Sequence, residues 1–389
     1  MQLSPETLKF ISAHEADDVR TLALKAARHP GVDVKAAIAQ IAGRQMAAVK
    51  IPSWHARSEV LYPAHLSLEQ CSSETTARYK AGLVGGETLT DLTGGFGVDC
   101  AFMATSFASA TYVERQAELC ELVAHNFSVM ALNHIDVVNA DAIDHLNMMD
   151  KVDCIYLDPA RRDRHGRKTV QLSDCEPDVS ALESLLLAKA DCVLVKLSPM
   201  LDISLAQSAL AHVAQVHIIA VANECKELLF VLKKEVDDPI GIQCVNFANT
   251  GRQTFAFARP DEQSAPCPMA TQPEQFLYEP NAAILKAGAY RSVAARFGLK
   301  KLHPNSHLYT SDAVVAHFPG RIFQVEGFGP LKDRALLAGV ASANISVRNF
   351  PLTVADLRKR LRLTDGGDVY LFGTTLADGK KVLIRCHKH

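Results

Sequence analysis

Asp91-Leu-Thr-Gly-Gly-Phe-Gly-Val-Asp99 follows the apolar run Thr88–Leu92 without a break and leads into a helix-length stretch. Gly94, Gly95 and Gly97 therefore fall in a strand–loop–helix junction. There the missing side chains let a ligand approach the backbone, and the first N–H groups of a helix can bind carboxylate or phosphate oxygens. Outward from this stretch the texture repeats. Short apolar runs at Ala110–Glu114, Ile135–Asn139, Val152–Asp158, Cys192–Leu197 and Val216–Ala222 are separated by segments long enough for helices. Continuous apolar runs read as buried parallel strands, and right-handed crossovers place helices on both faces of the sheet. The next run, Glu227–Lys234, comes after only Asn223-Glu224-Cys225-Lys226, too short for a parallel crossover, so it should lie antiparallel to its predecessor. The expected fold is α/β, a doubly wound, Rossmann-like sheet of seven strands.

Acids at strand ends sharpen the reading. Glu114 ends the second strand, 17 residues past Gly97, where a carboxylate can take both hydroxyls of a ribose. Asp141, followed by Ala142, ends the third, within reach of an adenine amino group. A dinucleotide would bring its pyrophosphate against the glycine loop, and Asp91 would repel it in a poorly solvated site. The third small residue of a dinucleotide fingerprint is also replaced by Cys100. A ligand with an ammonium beside its nucleoside, such as S-adenosylmethionine, suits Asp91 better. Asp91, Thr93, Gly94, Gly95, Phe96, Gly97, Glu114, Asp141 and Ala142 are the candidate cofactor-binding residues.

Asp91–Asp99 with Tyr112-Val-Glu114-Arg115 resembles motifs I and II of class I S-adenosylmethionine-dependent methyltransferases, above all guanine-N2 methyltransferases of bacterial ribosomal RNA. An antiparallel seventh strand is what that resemblance implies for the sheet. Leu277–Lys286 and Asn349–Lys359 extend the likeness to a bacterial family in which the catalytic domain precedes a ferredoxin-like piece and a THUMP-like domain.

Asp158-Pro159, at the end of the fourth run, corresponds to motif IV. Asp158 and the Pro159 carbonyl can accept hydrogen bonds from an exocyclic amine and take up its developing positive charge. Many amino methyltransferases carry an aromatic residue two places after the first proline to stack on the base, whereas here Arg161 stands at that position, and arginine stacks on a base or clamps a phosphate. Arg161-Arg162-Asp-Arg-His-Gly-Arg-Lys168 reads as a phosphate rail on a loop. Lys196 and Ser198, ending the fifth run, share the same rim and complete the candidate substrate contacts. Cys154 and Cys192 sit in strand starts or interiors, which argues against a covalent cysteine mechanism. The histidines lack paired ligand spacing, and no metal is expected.

At 389 residues, 48% hydrophobic and 22% charged, the chain has room for several cores. The expected division is a helical domain at 1–85, the cofactor-binding domain at 86–258, a small ferredoxin-like subdomain at 276–325 and a THUMP-like domain at 326–389. The proline-rich stretch 258–275 reads as a linker. Asp33 and Ser72-Ser73 mark helix starts in the first part. No apolar run reaches bilayer length and no export signal is recognisable, so a cytoplasmic protein is expected. Ten cysteines without a C-x-x-C pair read as reduced. The net charge of −2 conceals an asymmetry: residues 1–280 hold 24 Lys and Arg against 36 Asp and Glu, while 281–389 hold 17 against 7. A basic C-terminal part fits a polyanion, or merely its acidic neighbour. The expected function is methylation of a base in structured RNA, tRNA or rRNA. The alternatives are a protein or small-molecule methyltransferase and a non-catalytic RNA-binding protein with a vestigial fold.

Overall fold

The computed structural model describes residues 3–24, 29–63, 65–161, 171–236 and 239–389. Two units emerge, residues 1–214 with 229–236, and residues 215–228 with 237–389.

In the first unit the apolar runs form β1 (Gly86–Asp91), β2 (Phe107–Glu114), β3 (Ile135–Asn139), β4 (Val152–Leu157) and β5 (Ala190–Leu197). All pair in parallel, in the order β3-β2-β1-β4-β5. The register sets Asp91 beside Tyr112 and Tyr156, Glu114 beside Asn139, and Leu157 beside Val195. Every strand therefore delivers its carboxyl end to one edge, where ligands bind in open α/β sheets.

Helices precede this sheet, as expected. Ser4 caps α1 (Pro5–Ala13), Asp33 caps α2 (Val34–Lys50) and Ser73 caps α3 (Glu74–Ala81), each through a side-chain oxygen that accepts a first-turn N–H. Phe10, Ile11, Leu22, Ala37 and Ile41 form their apolar cluster. Crossovers within the sheet are α4 (Val98–Met103), α5 (Ala117–Val129), α6 (Ala142–Met148) and α7 (Val179–Lys189); α8 (Ile203–Ala209) follows β5.

β6 (Val213–Val221) and β7 (Glu224–Leu232) are joined by Ala222 and Asn223, both at positive φ, the geometry of a tight hairpin turn. The connection is shorter than the four residues expected, and the two strands are antiparallel neighbours. In the first unit, residues 229–232 of β7 lie next to β5. In the second unit, residues 224–228 of β7 lie next to β6. One expectation needs correction: the sheet does not stop at seven strands. β8 (Gly241–Ala248) pairs in parallel with β6, and β9 (Gly251–Ala258) returns antiparallel to β8. The turn at Asn249-Thr250-Gly251 between alternating apolar residues is the signal for that hairpin.

The rest of the second unit carries another sheet. Its strands are β10 (Phe276–Pro280), β11 (Tyr309–Ser311), β12 (Gly320–Gly329), β13 (Asn344–Arg348), β14 (Val369–Thr375) and β15 (Lys381–Lys388), ordered β11-β10-β12-β15-β14-β13 with residues 300–301 at the β11 edge. Gly288, at positive φ, separates α9 (Ala282–Ala287) from α10 (Tyr290–Phe297). Thr353 caps α11 (Val354–Leu361). The stretch 258–275 is not a free linker. Residues 259–264 are helical, Glu262 accepts the N–H groups of Tyr290, Arg291 and Ser292, and Ala270 and Pro268 bond to the backbone of Lys301. Prolines here limit helix and strand without freeing the chain. Among the described residues no helix is long and apolar enough to cross a membrane.

Candidate active site

Asp91 ends β1 and is 1% exposed. Its Oδ1 accepts the N–H of Thr93 at 3.0 Å, whereas its Oδ2 is buried without a hydrogen-bond partner. Burial pushes this carboxyl well above its ordinary range; the Thr93 N–H opposes the shift, and the charges of Asp99, Asp158 and Glu114 add to it. A buried acceptor with no donor calls for a cation with hydrogen bonds to give.

The glycines shape the adjoining loop. A Cβ on Gly94 would intrude on the Tyr112 ring, and Gly97, at φ 79°, would press a Cβ against Val123 and Phe127. Tyr112 donates its hydroxyl to the Gly95 carbonyl at 2.6 Å. Several loop N–H groups expected to face a ligand are already satisfied. Gly95 donates to Glu114 Oε2 at 3.0 Å, Gly94 to the Val113 carbonyl and Gly97 to the Gly94 carbonyl. Phe96 is buried against Trp54 and Tyr62, with ring centroids at 5.0 and 6.1 Å. Its side chain packs the preceding helices.

Glu114 ends β2 and also accepts the Gln116 N–H through Oε1 at 2.9 Å. Each carboxylate oxygen has a second lone pair, so this anchoring orients Glu114 and leaves it capacity to accept. Asp141 caps α6, its Oδ1 taking the N–H groups of Ile143 and Asp144, and Ala142 is the first helical residue.

Asp158 follows β4. Its N–H donates to Thr93 Oγ1 at 2.6 Å, and its Oδ2 meets Lys196 Nζ at 2.5 Å. The hydroxyl of Ser198, just beyond β5, accepts the N–H of Met200. Pro159 is buried. Arg161 belongs to a two-residue ladder in which it pairs with Cys175. Arg162 and the rest of the basic segment to Lys168 lie outside the described residues. The structure therefore brings Asp91, Thr93, the glycines, Glu114, Asp158 and Lys196 to one sheet edge, with Asp141 at the end of the same edge.

Sequence reasoning missed a buried polar cluster behind the loop. Lys80 of α3, wholly buried, lies 3.2 Å from Asp99 Oδ1 and donates to Ser72 Oγ at 3.0 Å. Ser72 and Tyr156 donate their hydroxyls to Asp99 Oδ2, both at 2.7 Å. Burial works to raise the Asp99 carboxyl, but the charges of Lys80 and Lys196 and these two hydroxyls outweigh it and hold it below its ordinary range. A lysine at a helical position seven residues past a cap carries no signal of such burial. Among the described residues no group of three or more His, Cys, Asp or Glu side chains is placed to hold a metal ion.

Comparison with known proteins supplies a family. A domain family described as ferredoxin-like matches residues 276–319, and one described as THUMP domain-like matches 320–388. The crystal structure of a protein from Porphyromonas gingivalis W83, named as a methyltransferase, superposes with a TM-score of 0.87 at 35% identity, covering 98% of this chain and 97% of that one. A Mycobacterium tuberculosis H37Rv protein named as an S-adenosylmethionine-dependent methyltransferase is 24% identical over 301 residues, 76% of this chain and 80% of the relative.

Proposed function

The chain belongs to the methyltransferase family of its Porphyromonas relative, with S-adenosylmethionine as the cofactor that its mycobacterial relatives are named for, and from that premise we propose that it methylates a base in RNA, with an exocyclic amine as the methyl acceptor. The observation that carries the cofactor reading to individual residues is the unpartnered, buried Oδ2 of Asp91 beside the glycine loop. The methionyl ammonium has the charge and the donors that this atom lacks. Glu114, already oriented by two backbone N–H groups, would hold the ribose hydroxyls, and Asp141 the adenine amino group. When bound, S-adenosylmethionine supplies a sulfonium-activated methyl group. The protein's task is then alignment, since holding reactants in near-attack geometry can lower a barrier by roughly 7–11 kcal/mol.

Asp158 has an oxygen, Oδ1, not engaged by Lys196, and with the Pro159 carbonyl it would accept the N–H groups of an amine whose lone pair faces the methyl. Arg161, Arg162 and Ser198 stand for substrate contacts, while Lys196, expected among them from the sequence, is engaged by Asp158. The RNA reading draws support from the surplus of 17 basic over 7 acidic residues in 281–389 and from the THUMP-like match to that region.

Titration calorimetry should show S-adenosylmethionine binding and NAD failing to bind. Asp158→Ala should retain the cofactor while losing methyl transfer by about a thousandfold or more. Nucleoside mass spectrometry of total RNA from deletion and parent strains should show one methylated nucleoside missing. RNA unchanged between the strains would leave a protein or small molecule as the acceptor, and a variant at wild-type rate would remove Asp158 from the chemistry.

A further inference from the structure

We infer that Lys196 is a positioning residue for Asp158, holding one carboxylate oxygen so that a single, fixed oxygen remains for the methyl acceptor. This rests on the reading of Asp158 as the acid of the acceptor pocket. β4 and β5 are parallel neighbours with Leu157 opposite Val195, so Asp158 and Lys196 occupy the next rung at the ligand edge. Lys196 Nζ lies 2.5 Å from Asp158 Oδ2, and its side chain is 12% exposed, against 38% for Asp158. The backbone of Asp158 is held as well, its N–H on Thr93 Oγ1. Thr93 in turn donates its own N–H to Asp91. One chain of contacts thus runs from the cofactor-side acid to the acceptor-side acid and ends on the lysine.

An aspartate on a solvated strand end turns about its terminal torsion, and its two oxygens are equivalent. Here the ion pair makes them different. Oδ2 is committed to an ammonium, and Oδ1 would be the oxygen that accepts. For an attacking amine this matters, because its lone pair points at the methyl only when its N–H bonds are aimed at fixed acceptors. A displacement of about 1 Å can cost on the order of a hundredfold in rate. Lys196 also helps hold the Asp99 carboxyl ionised, so one ammonium serves two carboxylates. That shared role accounts for a cation kept largely out of water at the sheet edge.

Two measurements test this. In proton–nitrogen spectra of the lysine ammonium groups of the full-length protein, Lys196 should give a signal protected from exchange in wild type and lost in Asp158→Asn. No such signal in wild type would refute the pairing without any need for a methyl acceptor. In transfer of labelled methyl groups to RNA from the deletion strain, Lys196→Met should lower kcat about a hundredfold. KM and calorimetric affinity for S-adenosylhomocysteine should stay within about twofold, and Lys196→Gln should behave alike. In the Asp158→Asn background, which keeps an oxygen acceptor, either Lys196 change should cost no more than a further twofold or so. An equal penalty in both backgrounds would overturn the inference. Full activity of Asp158→Asn would instead overturn the reading on which it rests.

Discussion

Asp91 behaves unlike an ordinary acidic residue because burial and three neighbouring acids outweigh the single N–H that favours its charge. With the carboxyl pushed up by burial, the ligand-free protein holds its proton to higher pH than an exposed aspartate does. A cationic ligand reverses this and expels the proton. Binding of S-adenosylmethionine measured by calorimetry should release a proton, visible as a heat that changes with the buffer's ionisation enthalpy. Affinity should rise with pH through the carboxyl's elevated value. Asp91→Asn should abolish both dependences and weaken binding by about 10- to 100-fold. Stability without ligand runs the other way. A group whose folded pKa is raised contributes stability that is complete below its unfolded value, here 3.8, and is lost as pH rises through the folded value. Gly94 makes a second prediction. A methyl there meets the Tyr112 ring, so Gly94→Ala should lower the melting temperature and reduce cofactor affinity together, whereas Gly95→Ala, whose Cβ would meet the Thr93 carbonyl oxygen at an ordinary 3.9 Å, should be limited to the smaller strain of positive φ. The site's acids were legible in the sequence because each ends an apolar run. The satisfied loop N–H groups were not, since only the three-dimensional register brings Glu114 and the Val113 carbonyl against Gly94 and Gly95.

At the level of elements, α3 and α4 are joined by a buried charge. Leaving one partner of such a pair unmatched typically costs about 3–5 kcal/mol. Lys80→Met should therefore destabilise strongly in denaturant titrations, and adding Asp99→Asn should recover part of the loss. The Asp99 carboxyl, held below its ordinary 3.8, contributes stability present above that value and lost as pH falls through the lower, folded one. Lys80→Met should accordingly remove much of that acid-dependent loss and make the fall of stability with pH shallower. Strands were readable as apolar runs and the caps at Asp33 and Ser73 as hydroxyl or carboxylate residues before periodic helices. Lys80 was not, because burial of a lysine depends on a carboxylate 19 residues away in the chain. The β8–β9 hairpin went unread for a different reason: its alternating pattern abuts a proline-rich stretch whose composition imitates a linker.

Over the whole molecule the charge division gains a structural setting. In the C-terminal unit, buried Glu279 binds both Arg321 and Arg348, whose side chains stay more than a third exposed. A carboxylate that fixes two guanidiniums in place removes part of the entropic cost of meeting a phosphate chain. RNA binding by the full chain should weaken steeply with salt, log K falling linearly with log salt concentration. The replacements Arg321→Gln and Arg348→Gln should each flatten that slope by about one unit. A salt-independent affinity would remove the electrostatic part of the RNA reading. The presence of a basic C-terminal part was legible from composition. Which of its arginines are held rigid was not, because Glu279, Arg321 and Arg348 come from three separate strands.

Strand β7 bears on how such a protein can be rebuilt. Its first five residues count with one unit and its last four with the other, so a cut between Leu228 and Leu229 would divide a single strand. A polypeptide ended at that point would carry only five of the strand's nine residues, and it should lose cooperative unfolding in a denaturant titration.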